Sequence, residues 1–148
     1  MHRNRLVLSS LVTAGIAVIV SGCARTEPVP VGKSLYDRLG GKAAVTTVVD
    51  QFVANVAADS RINGRFATTD FPRLKGHLVD QICMLSGGPC LYKGGDMKTI
   101  HAGMKITNGD FEALVEDLVA ALDKVKVPAH EKGKLLGLLS PMKQDIVE

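Results

Sequence analysis

Tryptophan is absent from this chain of 148 residues, and two Tyr and four Phe are its only phenyl-type aromatics. So few flat side chains leave little on which nucleic-acid bases could stack. A surplus of one charge is lacking too, since 18 Lys and Arg face 15 Asp and Glu. Two of those cations, Arg3 and Arg5, lie in a segment read below as removed, and without them the balance is 16 against 15. Clustered positive charge is what displaces counterions from phosphates, so a nucleic-acid partner is excluded. No Ser/His/Asp constellation or paired-carboxylate motif stands out, and hydrolytic chemistry has no support. With three cysteines there is no second pair to complete a zinc site. Runs of alternating apolar and polar residues are missing as well, which removes the signature of strands. What remains is a chain of one-domain length, 46% apolar, enough for one core.

The first residues form a segment of their own. Arg3 and Arg5 precede an apolar stretch from Leu6 to Val20, followed by Val20-Ser21-Gly22-Cys23. Ser9, Ser10 and Thr13 interrupt the stretch, which is shorter than the ~20 residues of a relaxed transmembrane helix. It reads as an export signal over residues 1–22, with an uncleaved anchor as the alternative. Small residues before a cysteine resemble the bacterial lipobox, which implies that Cys23 is lipidated and tethers the chain to a membrane face. Ala24 in place of aspartate implies outer-membrane sorting in a Gram-negative envelope. Residues 23–33, with Pro28, Pro30 and Gly32, suit a lipidated, extended tether. Gly32-Lys33-Ser34 ends like a phosphate-binding loop, but Glu27 stands where that motif needs glycine.

From Ser34 to the end, residues 34–148, apolar residues recur at helical spacing and the domain reads as all-α. Val45, Val48, Val49, Phe52, Val53 and Val56 make a continuous stripe on a helix over 43–57. Phe111, Leu114, Val115, Leu118, Val119 and Leu122 do the same over 108–124, after a capping-box pattern from Thr107 to Asp110. A helix over 72–86 follows Pro72, carries Leu74, His77, Leu78, Ile82 and Leu85 on one side, and stops at Gly87-Gly88-Pro89. A last helix opens at Pro128 and is expected to bury Leu135, Leu138, Leu139 and Met142. Between Gly87 and Lys105 the chain is glycine-rich, with only Met97, Ile100 and Met104 in any pattern. His101 sits there among apolar neighbours. A cofactor bond could order such a segment, although the pattern alone equally allows an ordinary loop histidine.

Several separated motifs shift that balance. Ser34-Leu35-Tyr36-Asp37-Arg38-Leu39-Gly40-Gly41, Gly64-Arg65-Phe66, Gly87-Gly88-Pro89 with Tyr92 and Gly94, and Met97-Lys98-Thr99-Ile100-His101-Ala102-Gly103 stand in order along the chain. Ile106-Thr107 with Phe111, Val127-Pro128 and Ser140-Pro141 complete the set. Together they resemble the group I truncated haemoglobins over Ser34 to Val147. The resemblance implies a two-over-two helical sandwich around one haem b, with His101 as the axial iron ligand and Phe66 stacked on the porphyrin. A neutral imidazole is a common axial ligand, and the other side of the iron then decides the chemistry. The apolar faces of the three long helices would supply a dry slot, with Met97 and Met142 as filler beside Met84 and Met104.

The departures from the family concern that other side. Many members carry a hydrogen-bonding tyrosine where this chain has Val53 after Phe52, and glutamine is frequent where Leu78 stands. Leu74 is apolar too. Such donors are worth about 1.5–3 kcal/mol to a polarised ligand. His77 compensates in the family's terms, lying 24 positions before His101, where some cyanobacterial members have a histidine that binds the iron reversibly. It could equally turn to a gas ligand, a haem propionate or solvent. The reading is reversible binding of oxygen or nitric oxide, with carbon monoxide as a further ligand. A bis-histidine redox protein for electron transfer or for disposal of nitric oxide or peroxide is the rival. An envelope lipoprotein that kept the shape without haem is a second rival.

Cys83 and Cys90 bracket Leu85 to Pro89, a turn able to bring them within disulfide reach, and an exported protein would oxidise them. Two free thiols are the alternative. His130 is expected at the surface of the last helix, His2 belongs to the signal, and Lys124, Lys126, Lys132 and Lys134 read as a solvated face, one of which could approach a propionate.

Overall fold

The structure, a computed structural model, describes residues 32–148. The expected signal at 1–22, the lipidated Cys23 and all but the last two residues of the tether lie outside the described residues.

Ser34 opens the first helix, α1 (Leu35–Leu39), with a capping box. Its hydroxyl accepts the Asp37 N–H while the Asp37 carboxylate accepts the Ser34 N–H, so two orphan donors are satisfied reciprocally. The chain then turns at Gly40 and Gly41, at φ 100° and 70°, a left-handed pair that only glycine adopts at low cost. This joint launches α2 (Gly41–Ala58), the centre of the fold. Its valine and phenylalanine stripe is buried at all six expected positions, from Val45 to Val56. One face of α2 is therefore enough to serve two neighbours, and it packs against both α3 (Phe71–Leu85) and α5 (Asn108–Lys124).

The start of α5 follows from its cap. Thr107 accepts the Asp110 N–H and the Asp110 carboxylate returns to the Thr107 N–H. Along α5, however, the apolar residues divide in two. Ala113, Leu118, Ala121 and Leu122 are buried, whereas Phe111, Leu114 and Val115 are only half-buried. The short side chains of Ala113 and Ala121 let neighbouring backbone come close. The larger ones face the cleft described below.

Two short helices and a broken one complete the chain: α4 (Met97–His101), α6 (Ala129–Leu139) and α7 (Lys143–Ile146). A single 3-10 turn at Asn63–Phe66 lies between α2 and α3, and another at Ser140–Met142 links α6 to α7. Pro128 caps α6, and Pro141 in the second turn bends the chain from α6 into α7. The buried residues of α6 are Glu131 and Leu135, with Glu131 tied to Arg38 of α1 at 3.2 Å, while Leu139 and Met142, expected to be buried, are half-buried because they border the cleft. Leu138 falls on the outer flank of the helix and is 39% exposed, against the expectation that it is buried. Among the described residues every regular element is helical, and no helix is long and apolar enough to cross a membrane.

Candidate functional site

His101 is the last residue of α4, a helix of five residues held at its start by Asp96, which accepts the Thr99 N–H at 2.9 Å. The hydroxyl and N–H of Thr99 hold the Asp96 carboxyl below the usual carboxylate range. The His101 Nδ1 lies 2.7 Å from the Met97 carbonyl. A carbonyl only accepts, so Nδ1 carries the proton and Nε2 is left with its lone pair. That is the tautomer a metal ligand requires, fixed by the other ring nitrogen.

His101 lines a cavity of about 420 Å³ enclosed by α2, α3, α4, α5 and the end of α6. That volume falls in the ~300–1,000 Å³ range of small-molecule and cofactor sites. A second, more open chamber of about 1140 Å³ adjoins it, and Phe66, Leu74, His77, Ile100, His101 and Phe111 belong to both. The two chambers form one cleft. Phe52 and Val53 from α2, Leu78 from α3 and Met97 from α4 line its inner part, while Ile106 lines the outer. The ring of Phe66 stacks on Phe71, centroids 6.4 Å apart and planes 20° from parallel, to make one flat wall.

On α3 the surroundings of His77 are particular. Its Nε2 is 3.5 Å from the Arg73 Nε, a long contact, and the edge of its ring meets Tyr92 with centroids 6.3 Å apart. Tyr92 donates its hydroxyl to the Gly95 carbonyl at 3.0 Å. Burial, and then the nearby Asp96, push that hydroxyl above its ordinary range, so it remains a donor. The loop bearing Tyr92 covers one wall of the cleft with backbone. A Cβ at Gly94 would collide with the Tyr92 ring, and one at Gly95 with Ile100. Val53, Leu74 and Leu78 bring no hydrogen-bond donor to the cleft.

Cys83 and Cys90 are joined as a disulfide, with Cα atoms 5.7 Å apart. It ties the end of α3 to the same loop. Gly88 between them packs against both Cys83 Sγ and the Tyr36 ring, where a Cβ would come within 2.6 and 2.7 Å.

Sequence reading missed several lining residues. Gln81 and Arg73 share the cleft-facing side of α3, and Phe71 and Ile146 also contribute, while Leu118 lines it from the α5 face expected to do so. Gln81 is buried, and among the described residues its amide nitrogen meets the sulfurs of Met97 and Met142, at 3.7 and 3.8 Å. The helical spacing 77, 78, 81, 82 could have found it, but a polar residue does not register in an apolar pattern. Met97 and Met142 line the inner chamber and Met104, although 53% exposed, lines the outer one, whereas Met84 is 42% exposed and lines neither. None of Lys124, Lys126, Lys132 and Lys134 lines either chamber, and His130 is at the surface beside Glu131.

Comparison with known proteins agrees with this geometry. The family model for bacterial-like globins matches residues 34–148. A group 1 truncated haemoglobin of Mycolicibacterium paratuberculosis is 37% identical over 113 residues, covering 76% of this chain and 83% of the relative. The chain belongs to the group 1 truncated haemoglobins. The crystal structure of the truncated haemoglobin of Tetrahymena pyriformis in its Fe(III) form superposes with a TM-score of 0.74 at 31% identity, over 78% of this chain and 98% of that one. The 2/2 haemoglobin of a Synechococcus species, solved in the cyanomet state with covalently attached haem, gives 0.73 at 30% identity over the same shares. This truncated haemoglobin therefore has the all-α globin fold, binds haem b and takes diatomic gases such as oxygen as ligands. The residues present fit that cofactor: an apolar, flat-walled cleft lined by a histidine whose Nδ1 is engaged by the Met97 carbonyl.

Proposed function

We propose that this truncated haemoglobin reversibly binds oxygen or nitric oxide at haem iron held by His101, with His77 as a reversible sixth ligand. The observation that carries the reading is the bond from His101 Nδ1 to the Met97 carbonyl, which leaves Nε2 as a ligand on the wall of the cleft. Haem supplies an iron centre with one coordination position beyond the protein's proximal ligand. The chain supplies the rest. Phe66 and Phe71 offer the macrocycle a flat apolar wall, Val53, Leu74 and Leu78 exclude water, and Arg73 and Lys93 line the cleft as cations suited to carboxylates.

His77 is half-buried on the same cleft as His101, and its contact with Arg73 is long enough to be given up. Turning inward would exchange one weak bond for a ligand bond. That same observation favours a second reading, in which a stable bis-histidine site carries electrons or disposes of nitric oxide or peroxide. Attachment to a membrane through lipidated Cys23, after export, is part of the proposal and rests on the sequence pattern at 1–23.

The deciding experiment is the absorption spectrum of the reduced, gas-free protein before and after carbon monoxide, in the wild type and in His77→Ala. Sharp split visible bands that give way to carbon monoxide, and that are lost in His77→Ala, support the sixth-ligand reading. Split bands that resist carbon monoxide favour the redox protein. A ferrous spectrum unchanged by His77→Ala removes His77 from the iron.

A further inference from the structure

The helix that carries His101 is too short to keep its own direction. α4 has five residues and none is buried, and one turn of helix does not sustain itself in water. Its first turn is fixed by Asp96, which caps the Thr99 N–H. Beyond His101 the chain passes through two left-handed residues, Gly103 at φ 78° and Lys105 at φ 52°. The second is costly for a residue with a side chain, so something outside the loop has to hold it.

Two distant side chains do so. Arg65 donates Nη1 to the Met104 carbonyl at 2.8 Å and is itself paired with Asp110 at 2.7 Å. Glu148, at the other end of the domain, accepts the Gly103 N–H on Oε1 and the Lys105 N–H on Oε2, both at 2.6 Å. Its own N–H donates to the Ile106 carbonyl at 3.0 Å. The segment before it, α7, lies against α4, and Ile146 reaches the cleft that His101 lines. Two N–H groups flanking Met104 converge on the two oxygens of one carboxylate, and hydrogen bonds to a carboxylate are charge-assisted. The N–H groups of Gly103 and Lys105 accordingly hold the Glu148 carboxyl below its ordinary range. Because these bonds go to backbone on both sides of Met104, they fix the path of the chain as it leaves His101.

The geometry points to Glu148 as a positioning residue for the proximal histidine: its carboxylate straps loop 102–106 and thereby sets the direction in which α4 presents the His101 Nε2. The inference rests on the reading of His101 as the iron ligand. Without the carboxylate strap, the turn after α4 would keep the Arg65 bond and the backbone bonds from Met104 N–H to the His101 carbonyl and from Glu148 N–H to the Ile106 carbonyl, but would lose both bonds that hold Gly103 and Lys105, and could relax out of its left-handed conformation. The ring of His101 would then sample a wider range of tilts. Its bond to the Met97 carbonyl would survive, because it lies within α4.

The test uses the haem-loaded full chain in three forms, each carrying His77→Ala so that no second histidine competes for the iron: Glu148 unchanged, Glu148→Gln and Glu148→Ala. Amide hydrogen exchange at Gly103 and Lys105 reads the strap, and the iron–histidine stretching band of the reduced, gas-free protein reads the ligand. In Glu148→Ala both amides are expected to exchange roughly tenfold faster or more, with the band shifted and broadened. Glu148→Gln, which keeps one acceptor oxygen, is expected to fall between. Unchanged exchange would overturn the inference. So would faster exchange with an unchanged band, since the strap would then order the loop without positioning His101. If the chain with Glu148 unchanged shows no iron–histidine band in this His77→Ala background, the underlying ligand reading fails and takes the inference with it. That failure is distinguishable, because exchange at the two amides would still respond to the substitutions.

Discussion

His101 donates its Nδ1 proton to the carbonyl of Met97, 2.7 Å away and four residues earlier on the same short helix. One hydrogen bond thus settles both the tautomer of the imidazole and the face of α4 from which Nε2 enters the cleft. Met97 itself lines the inner chamber, so the residue that orients the His101 ring also helps to shape the slot. The opposite wall is built differently. There α3 offers the apolar Leu74 and Leu78 beside the polar Arg73, His77 and Gln81, and the expected behaviour of the site follows from that contrast.

Leu78→Gln would place a donor on the apolar face of α3, where the cleft has room for it. A hydrogen bond to a polarised ligand is worth about 1.5–3 kcal/mol, which corresponds to roughly ten- to hundredfold slower oxygen dissociation. Stopped-flow displacement of oxygen by carbon monoxide measures it. An unchanged rate would mean that another group, His77 foremost, already supplies the donor.

The Cys83–Cys90 disulfide closes a short loop between the end of α3 and the segment bearing Tyr92. Closing a loop of this size constrains the unfolded chain by about 2 kcal/mol. Alkylation of the intact protein is expected to modify neither cysteine until a dithiol reductant is added, and reduction is expected to lower the urea midpoint correspondingly. Modification of both without reductant would show free thiols.

Asp117 stands on α5 with its Oδ2 buried and, among the described residues, without a hydrogen-bond partner. Burial pushes its carboxyl above the ordinary value, Asp59 and Glu116 add to this, and Arg61 opposes it. A group whose value is raised on folding binds its proton more tightly in the folded state. Its contribution to stability is complete below the unfolded carboxylate range and is lost as pH rises through the raised folded value. Asp117→Asn removes that loss and is expected to stabilise the protein by about 1 kcal/mol near pH 7, with the gain shrinking toward about pH 4. Urea unfolding at the two pH values checks it, and a less stable variant near neutrality would contradict it.

Much of the architecture was legible because apolar spacing reports burial. The stripe from Val45 to Val56 on α2 is the clearest case, and the Thr107–Asp110 cap marked the start of α5 correctly. The half-buried state of Phe111, Leu114 and Val115 was not legible, since a cleft-facing residue and a core residue share one pattern. Ala113 and Ala121 pack through being small, which a search for large apolar residues overlooks. His101 entered through resemblance to a family, as pattern alone left it an ordinary loop histidine. Gln81, Arg73 and Glu148 were missed for a common reason. Each is polar, and its role comes from what the fold brings beside it: for Glu148, a turn 43 to 45 residues away in sequence.

The central claim is that His101 holds the haem, and a cavity variant tests it most directly. Haem titration followed by reduced-state absorption is to be compared in wild type and His101→Gly, with and without added imidazole. The expected result is one haem per wild-type chain, and a His101→Gly spectrum that lacks the wild-type form until imidazole restores it. A His101→Gly protein that keeps the wild-type spectrum and ignores imidazole would contradict the account.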